Sequence, residues 1–556
     1  MTRVRSLAVA LICVMSLYPA AAADVSLEGR RAVPEAASAP PAAASGLKSP
    51  LSPLLILGAA GAEAPRELAA LEAANASRIG PWQIGFERNI GGTAEITERS
   101  FWSQTAADGT AILTGSYTVA GAWLTRARLA RVILPPGTQI WTYGEDGVAQ
   151  GPVGAAQLSP GGDLWLPSVA GEKVWIEVRV PAGEPLHRGL SMETPGPRRT
   201  GPLRFVLDGV SEQFRLDAAG RPMAGVEAGN YLEPCLVDIS CVAPATDIDN
   251  ASAAVGSYTF VHKKKTFVCT GGLLNDAGGS GQEYFLTANH CLSKSKDVRT
   301  METWWDYRSS VCDGTVNISL VPKSFGASLL AQSSLSDFTF VRIEGVPSNR
   351  YFFGWTTGAP VGTIGRVSNP GGGLQTYSET TDNNASGGSC NGLPPSEFLY
   401  QDQTFGAIAG GASGAPSFVA GGFVVGQLFG LCGQHPGDDC DLSNFVVDGR
   451  FSDTFPTISP WLTDPTGTPT AVADLGAIKL SSKKATISWT DTSLIEDRFD
   501  IVEISGGIPA VIGSLDGNTT SAKIKGLQGG QQYEFGVQAC LGSLCSTIES
   551  IILLTP

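Results

Sequence analysis

Short runs of alternating apolar and polar residues, stopped by glycine or proline every few positions, recur along this chain from Trp82 almost to its end. "TQIWTY", "GDLWLPSV" and "KVWIEVRV" represent the first half, "KATISWTD" and "DRFDIVEIS" the last stretch. A period of two sends successive side chains to opposite faces of a sheet, so the pattern is one of half-buried strands rather than helix bundles. The 68 Gly and 35 Pro between the runs supply the turns such strands need. The expected fold class is all-β. At 556 residues the chain is too long for a single domain.

Composition changes along the chain set the expected boundaries. Residues 1–23 read as an export signal: Arg3 and Arg5 form a basic start, Leu7 to Leu17 an apolar core, and Ala21 to Ala23 a small-residue cleavage site. Pro19 and the shortness of the run argue against a membrane anchor. The expectation is a secreted protein, extracellular or periplasmic, with no membrane partner once the signal is removed. Residues 24–75 begin with an Ala-, Pro- and Ser-rich stretch ("EAASAPPAAASG") expected to be a disordered linker. They end in a short helix, "APRELAALEAANASR", with Pro65 in its first turn and Leu68 and Leu71 on one face. Residues 76–229 form a first β-rich domain, 230–464 a second, and 465–556 a third.

A net charge of −14 argues against nucleic acid as a partner. The basic run Lys263 to Lys265 is expected to be a solvated hairpin tip. Of the 11 cysteines, ten remain once Cys13 leaves with the signal, an even number that implies disulfides. No C-x-x-C pair occurs, so no metal is expected, and no cofactor is implied.

One serine stands among small residues in "IAGGASGAPSF", residues 408–418. A serine hydroxyl is a weak nucleophile and needs a base within reach, itself held by a third group. The chain has only 4 histidines, and His290 in "YFLTANHC" ends an apolar strand beside a cysteine able to lock the loop. Asp337 in "LSDFTFVRIEG" precedes another apolar strand that could carry a carboxylate inward.

In order and spacing, "YFLTANHC", "SDFTFVRI" and "GGASGAP" resemble the three signatures of the chymotrypsin-like serine proteases. The region from Cys235 to Leu462 is more closely similar to the bacterial lysyl endopeptidase branch. It shares a pair of early cysteines ("CLVDISC"), a Cys-Thr-Gly strand ("VCTGGLLN"), an aromatic strand ending in Cys ("ETWWDYRSSVC") and a Gly-Gln-Leu strand after the serine ("VVGQLFG"). The last domain resembles a fibronectin type III module, with Trp489 as core aromatic and Tyr533 as a tyrosine corner.

These resemblances imply a secreted, monomeric serine endopeptidase that cleaves proteins or peptides through an acyl-enzyme and is made as a pro-enzyme. Residues 230–464 would form a double β-barrel and the preceding β-rich domain a pro-domain, while the last module would bind a surface or matrix component, or act as a spacer. Ser413 is the implied nucleophile, His290 its base and Asp337 the orienting acid, with the amides of Gly411 and Ser413 as the oxyanion hole. The implied disulfides are Cys269 with Cys291, Cys241 with Cys312, and Cys235 with Cys432 or Cys440, leaving Cys390 the remaining partner. Cys540 and Cys545 are expected to join across a hairpin. Two rival readings carry less. A serine esterase would show a glycine where Ala415 stands and a different triad order. A non-catalytic, adhesive relative would have lost one of the three residues.

The pocket departs from the lysine-selecting pattern, which has His in the Gly-Gln-Leu-x-Gly stretch and an acid shortly before a Gly-Arg pair. Phe429 occupies the first place, followed by Gly430, and Val446 lies near the second, while Ala407 removes another usual acid. The expectation is an apolar or small side chain before the scissile bond, with Asp448 the one acid able to restore a basic preference. Ala412 before the serine likewise removes the acid that pairs a freed N-terminus in digestive enzymes.

Overall fold

A computed structural model describes residues 24–556 apart from 33–50, 52, 58–62, 77–79, 89, 91–94, 160–161, 183–190, 193–202, 217–221, 224–232, 385–389, 391, 434, 465–466 and 506. The export-signal expectation for 1–23 lies outside these residues. Among them no helix is long and apolar enough to cross a membrane.

The fold is all-β, in three bodies. The N-terminal body is a sandwich. One sheet is built on Ala111–Val119 and Lys173–Val180, the other on Leu124–Ile133 and Arg204–Gln213. Their facing residues, among them Tyr117, Leu129, Ile176 and Phe205, are buried in one apolar core.

The second sheet does not stop at the domain boundary. Its strand Trp82–Arg88 pairs on one side with Arg204–Gln213 and on the other with Lys265–Leu273, which belongs to the next body. The helix Glu63–Ala76 holds this strand in place: Asn75 accepts from the N–H of Gln83 at 2.8 Å and donates to its carbonyl at 2.9 Å. Leu71 joins Trp82, Ile84 and Val268 in a small shared core.

The middle body has two halves. In the first, Val255–His262, Lys265–Leu273, Tyr284–Ala288, Ala327–Ser333 and Phe338–Ile343 curl around Tyr258, Phe285, Trp305 and Val341. In the second, six strands from Thr363–Ser368 to Phe445–Arg450 close into a ring, because Phe423–Cys432 pairs with both Pro416–Val419 and Phe445–Arg450. Closure removes sheet edges. Lys263 and Lys264, with φ of 47° and 67°, form the hairpin tip that their charge suggests.

The C-terminal body is a sandwich around Trp489, Phe499 and Phe535. Tyr533 Oη accepts the N–H of Gln528 at 3.0 Å, the back-bond of a tyrosine corner. The cysteines pair as Cys235–Cys440, Cys241–Cys312, Cys269–Cys291, Cys390–Cys432 and Cys540–Cys545.

The start of the expected linker is a correction. Ser26–Leu27 pairs with Gly354–Thr356, and Arg30–Arg31 with Tyr351–Phe352, so residues 24–32 are an added edge of the middle body. Leu55–Leu57 likewise extends the first sandwich. Composition alone hid them, because strands of two or three residues carry no period to read.

Candidate active site

Strand Tyr284–Ala288 pairs with Phe338–Ile343 so that Ala288 lies opposite Phe338. The residues just after Ala288 therefore meet the residue just before Phe338. That residue is Asp337, buried and held at φ 51°. Its Oδ1 accepts the backbone N–H of His290 at 2.8 Å, and its Oδ2 lies 2.7 Å from His290 Nδ1. The Asn289 N–H adds a third bond, to the Asp337 carbonyl at 3.0 Å. A carboxylate only accepts, so Nδ1 carries the ring proton and Nε2 is left as a base. The Cys269–Cys291 disulfide anchors the next residue.

The Ser413 loop runs between Phe398–Phe405 and Pro416–Val419. Gly411 at φ 92° and Gly414 at φ 83° take backbone shapes closed to other residues. The loop's carbonyls are tied down: Gly410 O accepts from Gly371 N–H at 2.7 Å, Gly411 O from Thr270 Oγ1 at 2.9 Å, and Ser413 O from Thr270 N–H at 2.9 Å. The amides alternate. Ala412 donates to Ala409 O at 3.1 Å and Gly414 to Leu428 O at 2.8 Å. Those of Gly411 and Ser413 have no acceptor among the described residues. Paired backbone donors left open in this way form a ready site for a developing oxyanion.

A Cβ on Gly414 would fall 2.2 Å from Thr287 Oγ1 and 2.6 Å from Ala288 N, so the serine turn lies hard against the strand that delivers His290. Phe429 stands edge-on to the imidazole with ring centroids 5.5 Å apart, and is backed by Phe398 at 5.7 Å. Gly430 follows at a bulge in the pairing with Phe445–Arg450. Ser413 Oγ makes no hydrogen bond among the described residues. Such bonds are often long without substrate and tighten when it binds.

Around the loop the pocket candidates separate. Ala407 and Val446 are buried behind it, Val446 in one apolar cluster with Ile408, Ala412, Ala415 and Leu428. Asp448 is also buried, but both its oxygens accept from Arg366 Nη2, at 2.9 and 2.8 Å, and one also from Gln401 Nε2 at 2.7 Å. Arg366 Nη1 reaches on to the Ala415 carbonyl at 3.1 Å. Arg366 and Thr270 thus hold a loop whose Ala412 sits in apolar surroundings. Neither was visible in sequence, since each acts across the barrel on a partner far along the chain. Trp82 was missed for the same reason: a Cβ on Gly410 would fall 1.8 Å from its Nε1.

Residues 230–441 match the family model of the lysyl endopeptidase C-terminal domain, and residues 57–192 that of the lysyl endopeptidase N-terminal domain. A lysyl endopeptidase of Pseudomonas aeruginosa is 26% identical over 234 residues, 40% of this chain and 46% of that relative. The aligned stretch thus spans less than half of the curated relative. Among solved structures, a thermostable serine protease AL20 from an extremophilic microorganism is 18% identical, with a TM-score of 0.25, over 36% of this chain and 92% of its own. An inactivated protease paralogue of the scabies mite is 14% identical, with a TM-score of 0.28, over 40% of this chain and 94% of its own. The matches to both lysyl endopeptidase domains support a trypsin-like serine protease.

Proposed function

We propose that the protein is a secreted serine endopeptidase, made as a pro-enzyme, in which His290, Asp337 and Ser413 carry the chemistry. His290 Nε2 takes the Ser413 proton as Oγ attacks the substrate carbonyl. The N–H groups of Gly411 and Ser413 donate to the negative charge that forms on its oxygen, a contribution of about 3 kcal/mol per donor in comparable sites. The imidazolium, stabilised by Asp337, then protonates the leaving amine, and the acyl-enzyme forms as the C–N bond breaks. Water repeats the sequence and frees the acid. The observation that carries this reading is the open pair of amides beside a histidine fixed by two bonds to one carboxylate.

The pro-enzyme part rests on strand Trp82–Arg88, which covers the Lys265–Val268 edge and brings Trp82 onto Gly410, next to the open amides. Export is supported by five disulfides, which persist in oxidising compartments. The C-terminal body is proposed as a fibronectin type III-like module.

The test is peptide hydrolysis and labelling by a fluorophosphonate probe. Ser413→Ala and His290→Ala should each lower turnover by roughly 10⁴ to 10⁶, with circular dichroism unchanged. Turnover that persists in both variants removes the assignment.

A further inference from the structure

We propose that residues 24–32 are a strand of the middle body that stays bound when the chain between the two bodies is cut. Freeing the N-terminal sandwich then takes a second cut, between that strand and the sandwich. The retained strand rests on its pairing alone, and its consequence for release rests on the pro-enzyme reading.

The chain passes between the bodies twice. Residues 24–32 lie on the middle body, Leu55–Leu57 on the first sandwich, and Val237–Asp238 on the middle body again. A single cut between the sandwich and Val237 leaves the sandwich attached by its other end, through residues 24–32.

The seat is one edge of residues 351–357. Arg31 lies opposite Tyr351, Arg30 opposite Phe352, Leu27 opposite Trp355 and Ser26 opposite Thr356, all antiparallel. Among the described residues Tyr351–Phe352 has no other strand beside it, and Gly354–Thr356 has Phe423–Cys432 on its other side. Without residues 24–32 this edge would be open, and an open edge takes an extended peptide by backbone hydrogen bonds. The bonds run past both ends of the pairing. The Thr357 N–H donates to Val25 O at 2.9 Å, and the Ala32 N–H to Arg350 O at 2.9 Å. Between them the Asn275 side-chain amide donates to Glu28 O at 2.9 Å.

Side chains fix which peptide fits. Leu27 packs against the apolar core that holds Phe353 and Trp355, and Ala32 against the one that holds Phe352. The two short pairings are joined at Gly29. A Cβ there would fall 1.9 Å from Tyr351 Oη and 2.7 Å from Gly354 N, while one on Gly354 would fall 2.5 Å from Gly29 N. Two glycines that face each other let the backbones close to a distance no side chain allows. The occupant of this edge is therefore the chain's own segment, specified by glycine at 29 and leucine at 27. Holding one end of the sandwich in this way turns its rebinding into an intramolecular step, worth a factor of about 10² to 10⁴ in apparent affinity.

The experiment uses the full-length Ser413→Ala protein, so that no self-cleavage interferes, with foreign protease sites at residues 224–230 alone or there and at 36–42. After cutting, gel filtration at a series of dilutions follows the sandwich, and intact mass follows the peptide that begins the chain. The concentration at which half of the sandwich has left should be about 100-fold lower for the single-cut than for the double-cut protein. The peptide should stay with the middle body after both cuts. Gly29→Val should bring the single-cut protein to the double-cut value and release the peptide. Hydrogen exchange on the uncut chain needs no cleavage: Gly29→Val should speed the Thr357 amide about tenfold or more. Equal half-release concentrations, a peptide that leaves the middle body, or unchanged Thr357 exchange overturns the retained strand. Fluorophosphonate labelling of the wild-type chain cut at the same sites reports separately on the protease reading: its absence at every stage overturns that reading and not the strand.

Discussion

Asp337 combines two demands on one residue: a carboxylate facing His290 and a backbone at φ 51°. Most side chains disfavour that conformation by about 1–2 kcal/mol, whereas Asp and Asn tolerate it. Asp337→Asn therefore separates charge from shape. Stability should change by less than about 1 kcal/mol, because Asn keeps the turn and can still accept the His290 N–H. Turnover should fall by roughly 10⁴, since the imidazolium loses its counter-charge and the ring its tautomer. Asp337→Ala should lose the same activity and also unfold more easily. Urea titration and steady-state rates on the two variants distinguish these effects, and equal activity in Asn and wild type would remove Asp337 from the mechanism. At this scale His290, Asp337 and Ser413 stood out as candidates because each lies in a local pattern: an apolar strand with a polar residue at its end, or a serine among glycines. Arg366 was not. Its identity as an anchor depends on Asp448, 82 residues on, and only closure of the barrel brings them together.

Among the elements, strand Trp82–Arg88 decides how the two halves of the protein relate. Without it Lys265–Val268 would be an open sheet edge, which another strand can join by backbone hydrogen bonds alone. The strand makes those bonds, with Val268 opposite Trp82 and Lys265 opposite Phe86, and Trp82 adds its indole against Gly410. Behind it the contact between bodies is charged and buried. Arg126 donates to Thr300 O at 2.7 Å and Ser168 Oγ to Glu302 at 2.5 Å, while Lys323 Nζ, itself 3.5 Å from Glu302, donates to Ser168 O at 3.1 Å. Burial pushes the Lys323 ammonium below its usual range, and Glu302 offsets this only in part. Truncating a central interface tryptophan typically costs about 2 kcal/mol or more. Trp82→Ala should therefore raise basal hydrolysis by the uncut chain about 30-fold, read as the rate of fluorophosphonate labelling before and after processing. An unchanged rate would show that the strand does not obstruct the site. The sequence placed this segment at the start of a β-rich region. It could not say which sheet the strand joins, because pairing across a domain boundary leaves no periodic trace.

For the whole molecule, the C-terminal sandwich was legible as a fold, through its alternating runs, Trp489 and Tyr533, but not as a docked part. Polar contacts and a shared apolar core dock it on the middle body. Arg342, on the strand that follows Asp337, ion-pairs through Nε with Asp497, which also accepts the Gly542 N–H at 3.0 Å. Trp461 Nε1 donates to Ile495 O at 3.0 Å, and Arg299 Nη2 reaches Asp516 at 2.9 Å. Ile495 and Leu541 enter the same apolar core as Phe340 and Phe451 of the middle body. A tethered spacer would need none of this. The Arg342–Asp497 pair makes the docking testable, because its carboxylate is fully buried and removing one partner leaves an uncompensated charge, a loss of roughly 3–5 kcal/mol. Glu283 and Glu344 lie within 4.0 Å of the guanidinium and soften that loss, so the lower end of the range is expected for Asp497→Ala. Calorimetry should then show one unfolding transition in the wild type and two in the variant. The double change Arg342→Met with Asp497→Leu removes both charges at similar volume and should restore most of the lost stability and the single transition. Two separate transitions in the wild type would mean that the sandwich hangs free and that these contacts contribute little. A single transition in Asp497→Ala at unchanged temperature would instead place the coupling in the shared apolar core, with Ile495 and Leu541 rather than the ion pair holding the bodies together.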